Sequence, residues 1–167
     1  GFHKAFKLGS LSSSFGASTA TGIGLKYVGD DGFAASTNVV SKGAKSSSGF
    51  LTDEDEYKWD SMLAYTADQF HISATLSQHH DDWTSHSYYA TDAAVNVEDD
   101  SNATAYALRA YWRPEESGTL IPEVSLGYDV VSYEGQSTSG AVEEASSYFV
   151  GLGWPEIFRD SDYLGIG

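Results

Sequence analysis

From Ala20 onward, segments of about ten residues alternate apolar and polar side chains one by one, and the connections between them alternate short and long. Successive side chains of a strand point to opposite faces, so strict alternation means a sheet with one apolar and one polar face. A soluble sheet satisfies this with one dry and one wet face. An antiparallel barrel in an outer membrane satisfies it with lipid outside and a watery lumen inside, and adds short turns at one rim and long loops at the other. The pattern therefore predicts an all-β chain, read as an antiparallel transmembrane β-barrel with about eight strands present.

The alternation can be followed residue by residue. Ile23, Leu25 and Tyr27 oppose Gly22, Gly24 and Lys26, and Gly29-Asp30-Asp31-Gly32 makes the turn into Phe33, Ala35, Thr37 and Val39. After a polar connection over 41–56 come Trp59, Ser61, Leu63 and Tyr65, the turn Thr66 to Gln69, then Phe70, Ile72, Ala74 and Leu76. A longer connection, roughly 79–102, precedes Tyr106, Leu108, Ala110 and Trp112, with a turn at Pro114 to Gly118 and a return through Leu120, Pro122, Val124, Leu126, Tyr128 and Val130. A last long connection, 134–145, leads to Tyr148, Val150, Leu152 and Trp154, a break at Pro155, and a final strand near Tyr163. Residues 1–19 show no sustained period and form an upstream segment beside the barrel portion at 20–167.

Aromatic residues collect at the strand ends. Tyr27, Phe33, Tyr65, Phe70, Trp112 and Trp154 flank the short turns, Tyr27 facing Phe33 and Tyr65 facing Phe70. Trp59, Tyr106 and Tyr128 are candidates for a second girdle at the other rim.

Charge narrows the possible partners. With 9 Lys and Arg against 24 Asp and Glu, and a net charge of −15, the chain is a poor match for nucleic acid, whose phosphates need basic contacts. Thirteen of the 24 acids sit in the three long connections, among them Asp53 to Glu56. No cysteine is present, which excludes disulfides and cysteine-ligated metals. The longest uncharged stretch, 8–25, is mostly small and polar and is unsuited to a membrane-spanning helix. The chain opens without an apolar signal-peptide core and stops inside an apparent strand, so a fragment of a longer protein is expected, with the sheet open or imperfectly closed.

On the polar face, Lys26, Lys58, Asp60, His71, Arg109, Tyr111, Arg113, Glu123 and Asp129 are the candidate pore-lining residues. Pairing Trp112 with Leu120 and Leu108 with Val124 sets Arg109 opposite Glu123, two opposite charges in one row. His79-His80-Asp81-Asp82 with His86 has the residue types of a metal site, but its spacing matches no defined zinc or iron motif, so no metal or other cofactor is expected. Thr52 to Glu56 has the acids of a weak calcium site without the loop pattern of a dedicated one, and reads as a solvated patch. Asn102-Ala103-Thr104 fits the glycosylation sequon. No nucleophile elbow, phosphate loop or zinc-protease motif occurs, and no catalytic residue is assigned.

The run Arg109-Ala110-Tyr111-Trp112-Arg113-Pro114-Glu115-Glu116-Ser117-Gly118-Thr119-Leu120-Ile121-Pro122, followed by Ser125 to Asp129, resembles a hairpin of cyanobacterial outer-membrane porins, particularly those of marine picocyanobacteria. Ser147 to Trp154 and Gly32 to Ser36 are similar to the same group, which is related to the carbohydrate-selective porins of the OprB type. The resemblance implies a barrel of about sixteen strands in the outer membrane. It also implies passive diffusion of small hydrophilic solutes, ions and in some members carbohydrates. Outer-membrane lipid is then a partner, and a homo-oligomer is left open. The competing reading is a secreted β-sandwich that binds glycans through its loops, with Leu63, Ile72, Leu108 and Val124 as a dry core.

Overall fold

The computed structural model describes residues 20–47, 49–81, 83, 102–135 and 143–167. Eight strands run through them: β1 (Thr21–Val28), β2 (Phe33–Ser41), β3 (Tyr57–Thr66), β4 (Phe70–His80), β5 (Asn102–Trp112), β6 (Glu123–Glu134), β7 (Glu144–Pro155) and β8 (Tyr163–Ile166). They form one antiparallel sheet in sequence order, and the sheet is not closed: β1 pairs only with β2, and β8 only with β7. The described residues contain no α-helix, only a 3-10 turn at Gly43–Lys45. The segment 1–19 lies outside the described residues.

Short turns follow from local chemistry. At the β1–β2 turn the Gly29 N–H donates to the Phe33 carbonyl at 2.7 Å, and Asp31 Oδ1 accepts from the Phe33 N–H at 3.2 Å. Gly32 takes φ of +89°, where an L side chain would be strained. At β3–β4 the Ala67 N–H closes on the Phe70 carbonyl at 2.8 Å.

The expected strands are found in β1 to β4, but Tyr27 opposes Ala35, not Phe33, and Tyr65 opposes Ile72, not Phe70; the third hairpin is displaced further. Trp112 opposes Val124, not Leu120, and Leu108 opposes Tyr128, not Val124. The return strand starts at Glu123, so Leu120 lies in a connection spanning 113–122. A shift of four residues leaves every side chain on its face, so alternation cannot distinguish the two registers. Proline can: the expected register would set Pro122 inside a strand paired on both sides, where its missing N–H breaks the ladder. In the structure Pro122 comes just before β6. The aromatic contacts at this end also differ in detail. Tyr27 opposes Ala35, while Phe33 packs on Tyr65 with ring centroids 4.7 Å apart, Tyr65 lies 5.7 Å from Phe70, and Phe70 opposes Trp112.

Burial is inverted relative to a water-soluble sheet. The alternate positions that carry Ile, Leu, Tyr, Phe and Trp are exposed, with Leu25 at 73% and Leu63 at 59%. The opposite face, built of small and polar residues, is the buried one: Ala105 is at 0% and Val131 at 1%, and Ala64, Ala103 and Ala107 are buried with them. We call these the outer and inner faces.

Candidate functional site

The register brings eight of the nine candidate residues to the inner face. Lys26 opposes Ser36, and the same row continues through Met62, Thr75 and Ala107 to Asp129. Lys58 and Asp60 alternate on β3, His71 opposes Tyr111, Arg109 opposes Gly127, and Glu123 opposes Gly153. Arg113 follows the last residue of β5 in the same phase.

Within that face the charges are paired locally. Arg109 is bound to Asp129, not to Glu123 as the expected register implied: its Nη2 lies 2.6 Å from Asp129 Oδ1 and 2.8 Å from Oδ2. Its Nη1 donates to the carbonyls of Leu108 and Tyr128 at 2.8 and 3.2 Å, and the ring of Phe149 covers the guanidinium at 5.6 Å. Gly127 makes room for that ring, because a Cβ there would stand 2.0 Å from Phe149 Cε1. Both ionic partners are buried, so the pair is a wall element. Glu123 instead accepts from the Tyr163 hydroxyl at 3.4 Å.

A second cluster lies toward the long-loop end. Lys58 Nζ is 3.1 Å from Asp60 Oδ2, the Ser77 hydroxyl donates to Asp60, and Ser77 Oγ is 2.8 Å from His79 Nε2. One hydroxyl has one proton, so with that proton on Asp60 the serine accepts from a protonated Nε2 of His79. This order is opposite to that of a serine activated by imidazole, whose hydroxyl donates to histidine. Ser77 is also fully buried. At the short-turn end His71 stacks on Tyr111 at 5.8 Å and bonds Thr66 at 2.8 Å, and Arg113 Nε donates to the Asp68 carbonyl at 3.0 Å.

Two loop expectations are corrected. His79 and His80 belong to β4, not to the connection, and as neighbours in a strand they point to opposite faces. His79 is buried inside, whereas His80 stacks on Tyr57 at 4.6 Å outside, so they cannot close on one metal ion. Among the described residues no group of three or more potential ligands converges; Asp82 and His86 lie outside them. The acid run 53–56 is not uniformly solvated. Asp55 is fully buried, and its carboxylate accepts from Ser41 Oγ at 2.9 Å, the Gly43 N–H at 2.8 Å and the Leu51 N–H at 2.7 Å. Glu56 is paired with Lys42, whose ammonium also lies 5.4 Å from the ring of buried Trp83. Only Asp53 and Glu54 of the run are exposed acids without such a role. Sequence reasoning missed Asp55 because a run of four acids looks the same whether or not one of them organises the loop. The small residues Ser41 and Gly43 were the available signal.

No protein-family model, no curated protein and no solved structure matches this chain.

Proposed function

We propose that this sheet is part of the wall of a transmembrane β-barrel, a porin of the outer membrane that passes small hydrophilic solutes by diffusion. The observation that carries the reading is the inverted burial: a continuous sheet whose large apolar residues are exposed while its small and polar residues are buried. In water such a face is far larger than the apolar patches monomers usually expose; in lipid it is the expected outer wall. Strands β2 to β7 have 9 to 12 residues each, the span a tilted strand needs to cross the hydrocarbon core. Between the Tyr65 and Trp59 levels of β3, the outer face covers roughly 20 Å along the strand, bounded by aromatic rings at both ends. The inner face is the lumen side, with its buried charges paired, so the solute meets small dipolar groups, the remaining Lys26, Arg113 and Glu123, and the field of the acidic loops.

A glycan-binding sandwich would need a second sheet against Leu63, Ile72, Leu108 and Val124. The strands that carry them all lie in one sheet, and Leu63, Ile72 and Leu108 are exposed. The test is conductance. The protein reconstituted into planar bilayers is expected to give stepwise channel currents, and a folded preparation without current overturns the porin reading.

A further inference from the structure

The connections 113–122 and 156–162 are not free turns. They are zipped together: the Gly118 N–H donates to the Pro155 carbonyl at 2.9 Å, Ser117 bonds Glu156, and the Trp154 indole N–H donates to the Leu120 carbonyl at 2.9 Å. Gly118 adopts φ of +73° to make the bend. The Ile121 carbonyl accepts from Thr119 Oγ1 at 3.4 Å, so the backbone around Leu120 and Ile121 has internal partners. The side chains of those two residues are nonetheless exposed, at 86% and 56%.

The polarity of this rim is divided. An open cleft at the short-turn end is lined by Asp68, Arg113, Glu115, Glu116, Glu123 and Glu156. Leu120 and Ile121 take no part in that lining, and the Leu120 backbone is fastened to the indole of Trp154. Trp154 opposes Leu164 and lies two residues along β7 from Leu152, in phase with the outer apolar face. Glu115, Glu116 and Glu156 thus line the cleft, and the exposed apolar pair stands outside it, fastened at Leu120 to an indole of the outer face.

Resting on the barrel reading above, we propose that Leu120 and Ile121, held by Trp154 and the 156–162 turn, form a foot that inserts into the headgroup–acyl boundary of the leaflet at the short-turn end. Three features fit this occupant. The patch is joined at its base to the outer face, through the Trp154 indole on the Leu120 carbonyl. The carbonyls of Leu120 and Ile121 have partners within the chain, which lowers the cost of taking them out of water. An indole stands at its base with its N–H bonded, at the depth where tryptophan rings concentrate.

The chain has no cysteine, so one introduced thiol gives one labelled position. Leu120→Cys, Ile121→Cys, Glu115→Cys and Leu63→Cys, each carrying a nitroxide, would be reconstituted into phosphatidylcholine vesicles and read for collision with oxygen, which partitions into lipid, and with a water-soluble nickel chelate. The ratio of oxygen to nickel accessibility is expected to be several-fold higher at positions 120 and 121 than at 115, approaching that at 63. If position 63 is immersed while 120 and 121 match 115, the foot is wrong and the wall stands. If position 63 is itself aqueous, the barrel reading fails and the foot with it. If labels at 120 broaden one another on dilution-independent contact, a second copy covers the patch and the lipid proposal is overturned.

Discussion

The two faces of this sheet use opposite building rules over the same eight strands. The outer face excludes charge: within the strands its only Asp, Glu, Lys or Arg residues are Glu134 and Glu144, both at the long-loop ends. The inner face admits charge and pairs it where it is buried, as Arg109 with Asp129 and Lys58 with Asp60, with Ala, Ser and Gly at many of the positions between. Each rule fits the surroundings proposed for its face. A face in hydrocarbon has nothing to screen a charge, whereas a face toward a narrow lumen can hold charges if each finds a partner.

The largest expected effect comes from breaking the inner rule. Asp129→Ala leaves the Arg109 guanidinium buried under Phe149 with its counterion gone. The cost is expected to be about 3–5 kcal/mol, measured as the change in urea unfolding of vesicle-folded protein. Removing both charges, Arg109→Met with Asp129→Leu, should restore much of it, because two desolvated ions are then absent rather than one unpaired. A single-variant cost below about 1 kcal/mol would mean that water reaches Arg109 and that this part of the inner face is wet. Reversing Arg109 to Glu would bury two carboxylates together and report on stability.

The outer rule is broken by Leu108→Arg. Leu108 is half exposed at mid-strand, so in water the change would be within about 0.5 kcal/mol, as for ordinary surface positions. Against lipid the same change costs roughly 2–4 kcal/mol near the bilayer midplane. The same unfolding assay separates the two, and a near-neutral result would remove lipid from that face.

How much of this was legible in the sequence depends on what alternation can encode. Period two assigns faces, so eight of the nine candidates share one face of the sheet, and Arg113 follows β5 in the same phase. Period two does not fix an even-numbered slip, so the third hairpin was displaced by four residues and Arg109 was given the wrong partner. Pro122 held the missing information, as a residue that cannot donate inside a strand paired on both sides. His79 and His80 were assigned to a connection because polar residues at a strand end resemble loop residues. Their place in β4 depends on the partners Ser77 and Tyr57, which only the register reveals.

The long-loop rim offers a smaller contrast, between an acid inside a loop and acids on it. Asp55→Ala removes an acceptor shared by Ser41, Gly43 and Leu51. Hydrogen bonds to a charged group contribute about 1.5–3 kcal/mol each and do not add fully, so the 42–56 loop should lose its local order. Amide exchange is the readout: the Gly43 and Leu51 amides should exchange much faster, while those of β5 and β6 are unchanged. Asp53→Asn should leave all of them as they were. Equal protection in both variants would mean that Asp55 is dispensable to the loop.

The smallest effect is electrostatic and belongs to the exposed acids alone. Asp53 and Glu54 are exposed on the loop between β2 and β3, at the end of the sheet where the other long connections also carry acids. A negative mouth concentrates cations within a Debye length, about 30 Å at 0.01 M salt and about 3 Å at 1 M. Neutralising both, Asp53→Asn with Glu54→Gln, should lower single-channel cation conductance at 0.01 M and leave it nearly unchanged at 1 M, because at high salt the field no longer reaches the pore axis. Asp55 and Glu56 must stay intact in this experiment, since altering them would disturb the loop fold and confuse position with charge. An equal loss at both salts would mean that the loop has moved, and no loss at either would place these two carboxylates outside the path of the ions.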